Sequence, residues 1–174
     1  PEWNMIDFAI MQIGAISIPI YPTISQEDYK YILNHAEMKM IFIEGKELRN
    51  KLKPILPELK TMEEIYTFDD LDSEYKYLDM LIELGKQNPA PERLKDIKEK
   101  IKPEDMATII YTSGTTGVQK GVMLSHNNIV NQLKNLEMTP AKWSNKAQSF
   151  LPLCHAYERV LVYLYQYLGM SVYY

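Results

Sequence analysis

The chain has 174 residues, 46% of them hydrophobic and 24% charged, enough for one domain with a real core. Its net charge of -4 argues against nucleic acid as the main partner, which would require a basic patch. A single cysteine, Cys154, excludes an internal disulfide framework and favours a reducing compartment.

In chain order, Ile6, Ala9, Ile10 and Ile13 fall at helical spacing and predict an amphipathic helix that stops at Gly14. Residues 16–21 are β-branched, close at Pro22, and predict a short buried strand. Ser25 is placed to cap a helix with apolar Tyr29, Ile32, Leu33 and Ala36, and with Glu27 and Asp28 in its first turn. Residues 40–43 predict a strand, 46–56 a helix ending before Pro57, and 61–68 a strand with a polar face. Residues 69–103 are charge-rich, with Pro89, Pro91 and Pro103, and predict surface helices and connections whose apolar side is Tyr77, Leu78, Leu81, Ile82 and Leu84. Ser125 is placed to cap a helix through Ile129, Leu133 and Leu136. A strand follows over 149–153, then a helix over 157–168 with Leu161, Leu164, Tyr165 and Leu168 on one face. Gly169 ends that helix, and 170–174 begin a further strand. Helices and strands alternating at this spacing predict an α/β fold with parallel-rich sheets flanked by helices.

No basic stretch followed by an apolar one opens the chain, so no secretory signal is expected. The longest apolar stretch, residues 160–174, is shorter than the roughly 20 residues of a spanning helix, and Gln166 interrupts it. The chain starts at Pro1 and stops on Tyr173 and Tyr174, so both ends are expected to be cut from a longer protein.

The most informative stretch is Y-T-S-G-T-T-G-V-Q-K-G, residues 111–121, set between apolar runs at 107–111 and 122–124. Glycines and small hydroxyl residues let backbone N–H groups surround an anion, and Lys120 adds a full positive charge, a combination suited to nucleotide phosphates. The order of residues excludes two common phosphate loops. A Walker A loop needs a second glycine at the sixth place, but counting from Gly114 gives Gln119 and from Gly117 gives Val122. The G-x-G-x-x-G spacing of kinase and dinucleotide loops is absent too.

What remains, [S/T]-[S/T]-G-[S/T]-[S/T]-G-x-x-K-G between two strand-like segments, resembles the nucleotide loop of the adenylate-forming superfamily of acyl-CoA synthetases, nonribosomal adenylation domains and luciferases. Gln119 stands where these loops usually carry proline, and so keeps an N–H that proline lacks. Residues 151–159, L-P-L-C-H-A-Y-E-R, are similar to the segment that follows the phosphate loop in long-chain fatty acid–CoA ligases. The opening P-E-W-N and the stretch G-A-I-S-I-P-I-Y-P-T, residues 14–23, occur in the order that family shows.

The resemblance implies a two-step reaction, in which fatty acid plus ATP gives acyl-AMP and pyrophosphate, and coenzyme A then takes the acyl group. Holding two anions together and neutralising the leaving pyrophosphate needs donors set in advance. The expected donors are the N–H groups of Gly114, Gly117 and Gly121, the hydroxyls of Thr112, Ser113, Thr115 and Thr116, and the Lys120 ammonium. Thr115 is expected to reach Mg2+ through the bound phosphates. His155 is expected to orient the carboxylate or to donate to a phosphate oxygen; the plainer reading is a histidine capping a helix, with Glu158 and Arg159 on its solvated face. His35, His126 and Cys154 read as structural. The stripe Tyr163, Tyr165, Tyr167 suits either a lipid tunnel or ordinary packing.

By the same resemblance the chain is an incomplete N-terminal AMP-binding domain. Residues 1–68 form an α/β subregion, 69–105 a charged helical connection, and 106–174 the phosphate loop with the α/β segment after it. The adenine and ribose contacts, the hinge and the C-terminal domain with its lysine are expected downstream, so the isolated chain is expected to complete neither half-reaction. The expected setting is cytoplasmic, with peripheral membrane contact for long acyl substrates. Two alternatives stand beside this reading, a ligase of the same superfamily for another carboxylate and a non-catalytic nucleotide-binding module.

Overall fold

The computed structural model describes residues 2–71, 75–113, 119–137 and 145–174. Its helices are α1 (Glu2–Gln12), α2 (Gln26–His35), α3 (Gly45–Leu52), α4 (Leu78–Gln87), α5 (Pro91–Lys100), α6 (His126–Glu137) and α7 (Ala156–Tyr167). Its strands are β1 (Met40–Ile43), β2 (Glu64–Thr67), β3 (Lys76–Tyr77), β4 (Met106–Ser113), β5 (Gln119–Ser125), β6 (Lys146–Gln148) and β7 (Ser171–Tyr173). They fall into two compact units, Pro22–Pro91 and Pro1–Tyr21 with Glu92–Tyr174.

In the Pro22–Pro91 unit, β1, β2 and β3 form a parallel sheet in that order, with Met40 opposite Glu64 and Tyr66 opposite Lys76. Parallel neighbours need crossover connections, and between β1 and β2 the segment that carries α3 supplies one. The Ser25 hydroxyl accepts the Asp28 N–H at 3.0 Å and caps α2 as expected. Tyr29, Ile32 and Leu33 of α2 are buried with Ile43, Leu52, Ile55 and Tyr66. The helix expected over 46–56 stops at Leu52 and tightens into a 3₁₀ turn, Lys53–Glu58. Pro54, just after Lys53 N–H bonds the Arg49 carbonyl, lacks the N–H that would continue the α-helical ladder.

In the other unit, β4 and β5 form an antiparallel hairpin, and β6 and β7 pair in parallel with Lys146 opposite Ser171. Helix α6 packs on α7. The Ser125 hydroxyl accepts the Asn128 N–H at 3.2 Å, so the expected cap of α6 is formed. Gly169 takes a φ of +69°, a conformation that glycine adopts without cost, just after the last turn of α7.

Two expected strands are not realised. Residues 16–21 contribute one parallel bridge, Ser17 to Thr108, because Pro19 has no ladder donor to continue it. Ser17 N–H donates to the Ala107 carbonyl at 3.0 Å, and Ile109 N–H donates to the Ser17 carbonyl at 3.2 Å. The strand expected over 149–153 lies earlier, at β6; Ser149 N–H still reaches the Tyr173 carbonyl at 2.7 Å, and Pro152 then turns the chain. The faces of two helices also differ from expectation. Helix α1 ends at Gln12, buries Asn4 and Asp7 and leaves Ile6 and Ile10 only half-buried, while Ile13 beyond it is exposed. Helix α7 buries Leu164 as expected, together with Val162, Tyr163, Glu158 and Arg159. The two charged residues expected in solvent are each only 2% exposed.

Candidate functional site

The hairpin presents the sequence-predicted loop between paired strand ends. Tyr111 lies opposite Gly121, Thr112 opposite Lys120, and Ser113 opposite Gln119. Directly opposed residues in an antiparallel ladder have Cβ atoms about 4.5–5.5 Å apart. The Thr112 and Lys120 side chains therefore leave the ladder as neighbours on one face, and both residues are exposed. Gln119, where proline was the expectation from resemblance, is a ladder residue. Gly114, Thr115, Thr116 and Gly117 lie outside the described residues, as does the side chain of Ser113.

Gly121 has a packing reason to be glycine. A Cβ there would lie 2.7 Å from Ile109 Cγ2 and 3.4 Å from the Tyr111 ring. The Tyr111 side chain, 8% exposed, fills the space that a larger residue at 121 would need. The absence of a side chain thus lets the last turn of the ladder close tightly below the loop.

His155 occupies the N-cap of α7, with extended backbone (φ −83°, ψ 132°), and its Nδ1 accepts the Tyr157 N–H at 3.2 Å. The capping role read from sequence is realised. It also fixes the ring chemistry: with Nδ1 accepting, the neutral imidazole carries its proton on Nε2. The exposed edge of His155 is then a hydrogen-bond donor.

The residues that sequence reasoning missed sit beneath these two elements. Arg159 Nη2 donates to Asp7 Oδ1 at 2.6 Å, and its Nη1 donates to Thr108 Oγ1 at 2.6 Å. Its Nε donates to the Tyr163 oxygen at 2.6 Å and to Asp7 Oδ2 at 3.3 Å. Ser17 Oγ and the Tyr163 hydroxyl also donate to Asp7. Thr108 Oγ1 in turn donates to the Ser17 carbonyl at 2.6 Å. The guanidinium lies 5.6 Å from the centre of the Trp3 ring. Burial pushes the Tyr163 phenol well above its ordinary range, the Asp7 charge adds to this, and Arg159 opposes it. Tyr163 therefore stays a protonated donor. A second buried contact, Ser149 Oγ to Glu158 Oε1 at 2.5 Å, ties the turn before α7 to its first turn. The only sequence signal for this cluster was the E-R pair closing the 151–159 segment. The partners Asp7 and Thr108 lie far away in the chain.

The remaining candidates make local packing and backbone contacts. Cys154 is buried; burial pushes its thiol up, while the Tyr21 hydroxyl beside it has the opposite effect. His35 stacks on Tyr31, with ring centres 5.2 Å apart. His126 N–H donates to the Asp105 carbonyl at 3.1 Å. Of the tyrosine stripe, Tyr163 is buried and Tyr167 is exposed. Among the described residues, no three His, Cys, Asp or Glu side chains gather as a metal site, and no helix is long and apolar enough to cross a membrane.

Fatty acyl-CoA synthetase A of Dictyostelium discoideum is 34% identical over 99% of this chain, which covers 26% of that protein. The chain thus spans about a quarter of the length of the curated relatives it matches. Among solved structures, a long-chain-fatty-acid-CoA ligase from Archaeoglobus fulgidus matches with a TM-score of 0.73 at 22% identity, over 99% of this chain and 32% of that one. An anthranilate CoA ligase in complex with anthranoyl-AMP matches with a TM-score of 0.76 at 20% identity, over 99% of this chain and 33% of that one. At such identities the structural likeness speaks for the fold, which is that of the N-terminal domains of adenylate-forming enzymes. The pattern that defines the AMP-binding enzymes matches residues 1–174, the whole chain, and the chain belongs to that family.

Proposed function

We propose that the chain is the phosphate-loop part of an ATP-dependent long-chain fatty acid–CoA ligase. The carrying observation is the hairpin register, which sets Thr112 opposite Lys120 at the paired ends of a glycine- and threonine-rich loop in a chain of this family. The boundaries proposed are an α/β subregion over 1–68, a charged helical connection over 69–105 and the loop-bearing segment over 106–174, with the C-terminal domain outside this chain.

In the proposed reaction the fatty carboxylate attacks the α-phosphorus of ATP, the bond to the β-phosphate oxygen breaks, and pyrophosphate leaves. The Lys120 ammonium and the Thr112 hydroxyl, with the donors of residues 113–117 and 121, bind the β- and γ-phosphates and offset the charge that builds on the leaving group. The donor set of hydroxyls and one ammonium fits a triphosphate. Magnesium would arrive on its oxygens, beside Thr115, and supply further charge neutralisation. His155 presents Nε2–H to an oxygen of the carboxylate or the α-phosphate. In the second step the coenzyme A thiol attacks the acyl carbon and AMP leaves. Cytoplasmic location and peripheral membrane contact are proposed for the full-length protein, since long acyl chains are met at membranes.

Carboxylate-dependent ATP–pyrophosphate exchange on the full-length protein tests the reading, with palmitate, acetate, benzoate and an amino-acid mixture compared. Exchange with palmitate alone is expected. Lys120→Met should lower kcat about 100-fold, the scale of losing one donor to a developing anion. Exchange with another acid would keep the mechanism and change the substrate. No exchange with any acid would refute the reading in favour of a non-catalytic nucleotide-binding module.

A further inference from the structure

The two elements that carry the proposed site are joined by one buried side chain. Strand β4 leads into the phosphate loop and carries Thr112 four residues beyond Thr108. Helix α7 carries His155 at its cap, and the Arg159 N–H donates to the His155 carbonyl at 3.1 Å, the first bond of the helix. The Arg159 guanidinium then spans to β4 through Nη1 and Thr108 Oγ1, while Asp7 holds its other edge through Nη2 and Nε. Both Arg159 and Thr108 are essentially inaccessible to water.

We infer that Arg159 is a positioning residue for the adenylation step. Gripped by Asp7 and hydrogen-bonded to Thr108, it fixes the first turn of α7, and with it the His155 imidazole, against the strand that bears the phosphate loop. The inference rests on the site role proposed for His155. Its physical basis is the fork geometry of guanidinium. Five N–H donors in one plane reach Asp7, Tyr163 and Thr108 together, whereas a lysine ammonium is a point charge that satisfies only part of this set. The buried location adds weight: an Arg–Asp pair out of water is not a general source of stability, but its directional bonds can specify one arrangement among several. A misplacement of about 1 Å at a reacting group can cost on the order of 100-fold in rate.

The mild variant is Thr108→Val, which keeps the β-branched shape and the Arg159–Asp7 pair and removes only the Nη1 acceptor and the bond to Ser17. Arg159→Lys is the stronger variant. Each is measured alone and combined with His155→Ala in the full-length enzyme, with ATP–pyrophosphate exchange resolved into kcat and KM for ATP and fatty acid. Thr108→Val is expected to lower kcat about 10-fold with KM for ATP little changed, and to lower nothing further once His155 is alanine, because residues acting through one group are not additive. Losses that add in the double variant, or a silent Thr108→Val in an enzyme that loses activity with His155→Ala, would overturn the inference and leave the proposed function standing. If the unaltered protein shows no exchange at all, the proposed function falls, and the geometry is read from the 15N signals of the His155 ring. A change in its Nδ1 or Nε2 signal on Thr108→Val would support the coupling, and unmoved signals would overturn it.

Discussion

Replacing Asp7 by Asn changes one atom of the most heavily bonded buried carboxylate among the described residues. Asp7 is 2% exposed, and both of its oxygens accept from donors only: Oδ1 from Ser17 and Arg159 Nη2, Oδ2 from Tyr163 and Arg159 Nε. An amide carries an NH2 group in place of one oxygen, so either orientation of Asn points a donor at donors. The Arg159 charge would also be left buried without its counter-ion. Removing one partner of a buried pair in this way costs about 3–5 kcal/mol, a large share of the roughly 5–15 kcal/mol that holds a domain together. Urea unfolding followed by far-UV circular dichroism measures the loss as a shift of midpoint at constant slope. The exposed pair Lys39–Glu63 is the control, and Lys39→Ala should leave the midpoint where it is. Changing both partners, Asp7→Leu with Arg159→Met, should destabilise less than Asp7→Asn alone, since no uncompensated charge remains. An Asp7→Asn variant that loses less than about 1 kcal/mol, as solvent-exposed pairs do, would refute the reasoning.

Gly121→Ala should destabilise by about 1–3 kcal/mol, the usual cost of overpacking, because the new methyl meets Ile109 Cγ2 at 2.7 Å on a stiff β-branched side chain. Ile109→Ala removes that atom, so thermal melts of the double variant should show less than the sum of the single losses. Cys154 should resist iodoacetamide in the native protein and react on unfolding, since burial pushes its thiol above the ordinary cysteine range. With its folded value raised, the stability it contributes is complete below pH about 9 and falls as pH rises through the folded value. A pH series of melts on Cys154→Ala should lack that alkaline loss.

Much of the local structure was legible in the sequence because it depends on near neighbours. Ser25 and Ser125 cap their helices through residues three positions on, and Gly169 ends α7 through its own backbone freedom. The apolar run at 40–43 is a strand whose limits match β1, and the runs flanking the phosphate loop became β4 and β5. The strand expected over 16–21 is cut to one bridge for a local reason, since Pro19 breaks the ladder despite the β-branched residues around it. The loop residues were nominated by composition and order and His155 by family resemblance, and of these the fold pairs Thr112 with Lys120 and makes His155 a cap.

The composition of the phosphate loop, the order of its motifs and the periodicities of the helices were determined by the sequence alone, because glycine freedom, hydroxyl donors and charge belong to residue types and travel with them. Which face of α1 and α7 turns inward was decided only by the tertiary structure. The helical pattern nominated Ile10 and Leu161, which are half-buried, yet Asp7 and Arg159 went inside, since a buried charge is tolerable only where an opposite charge and hydrogen-bond donors meet it from elsewhere in the chain. That compensation joins residues 7, 17, 108, 159 and 163, and no periodicity in a single segment can encode a partnership across 152 positions.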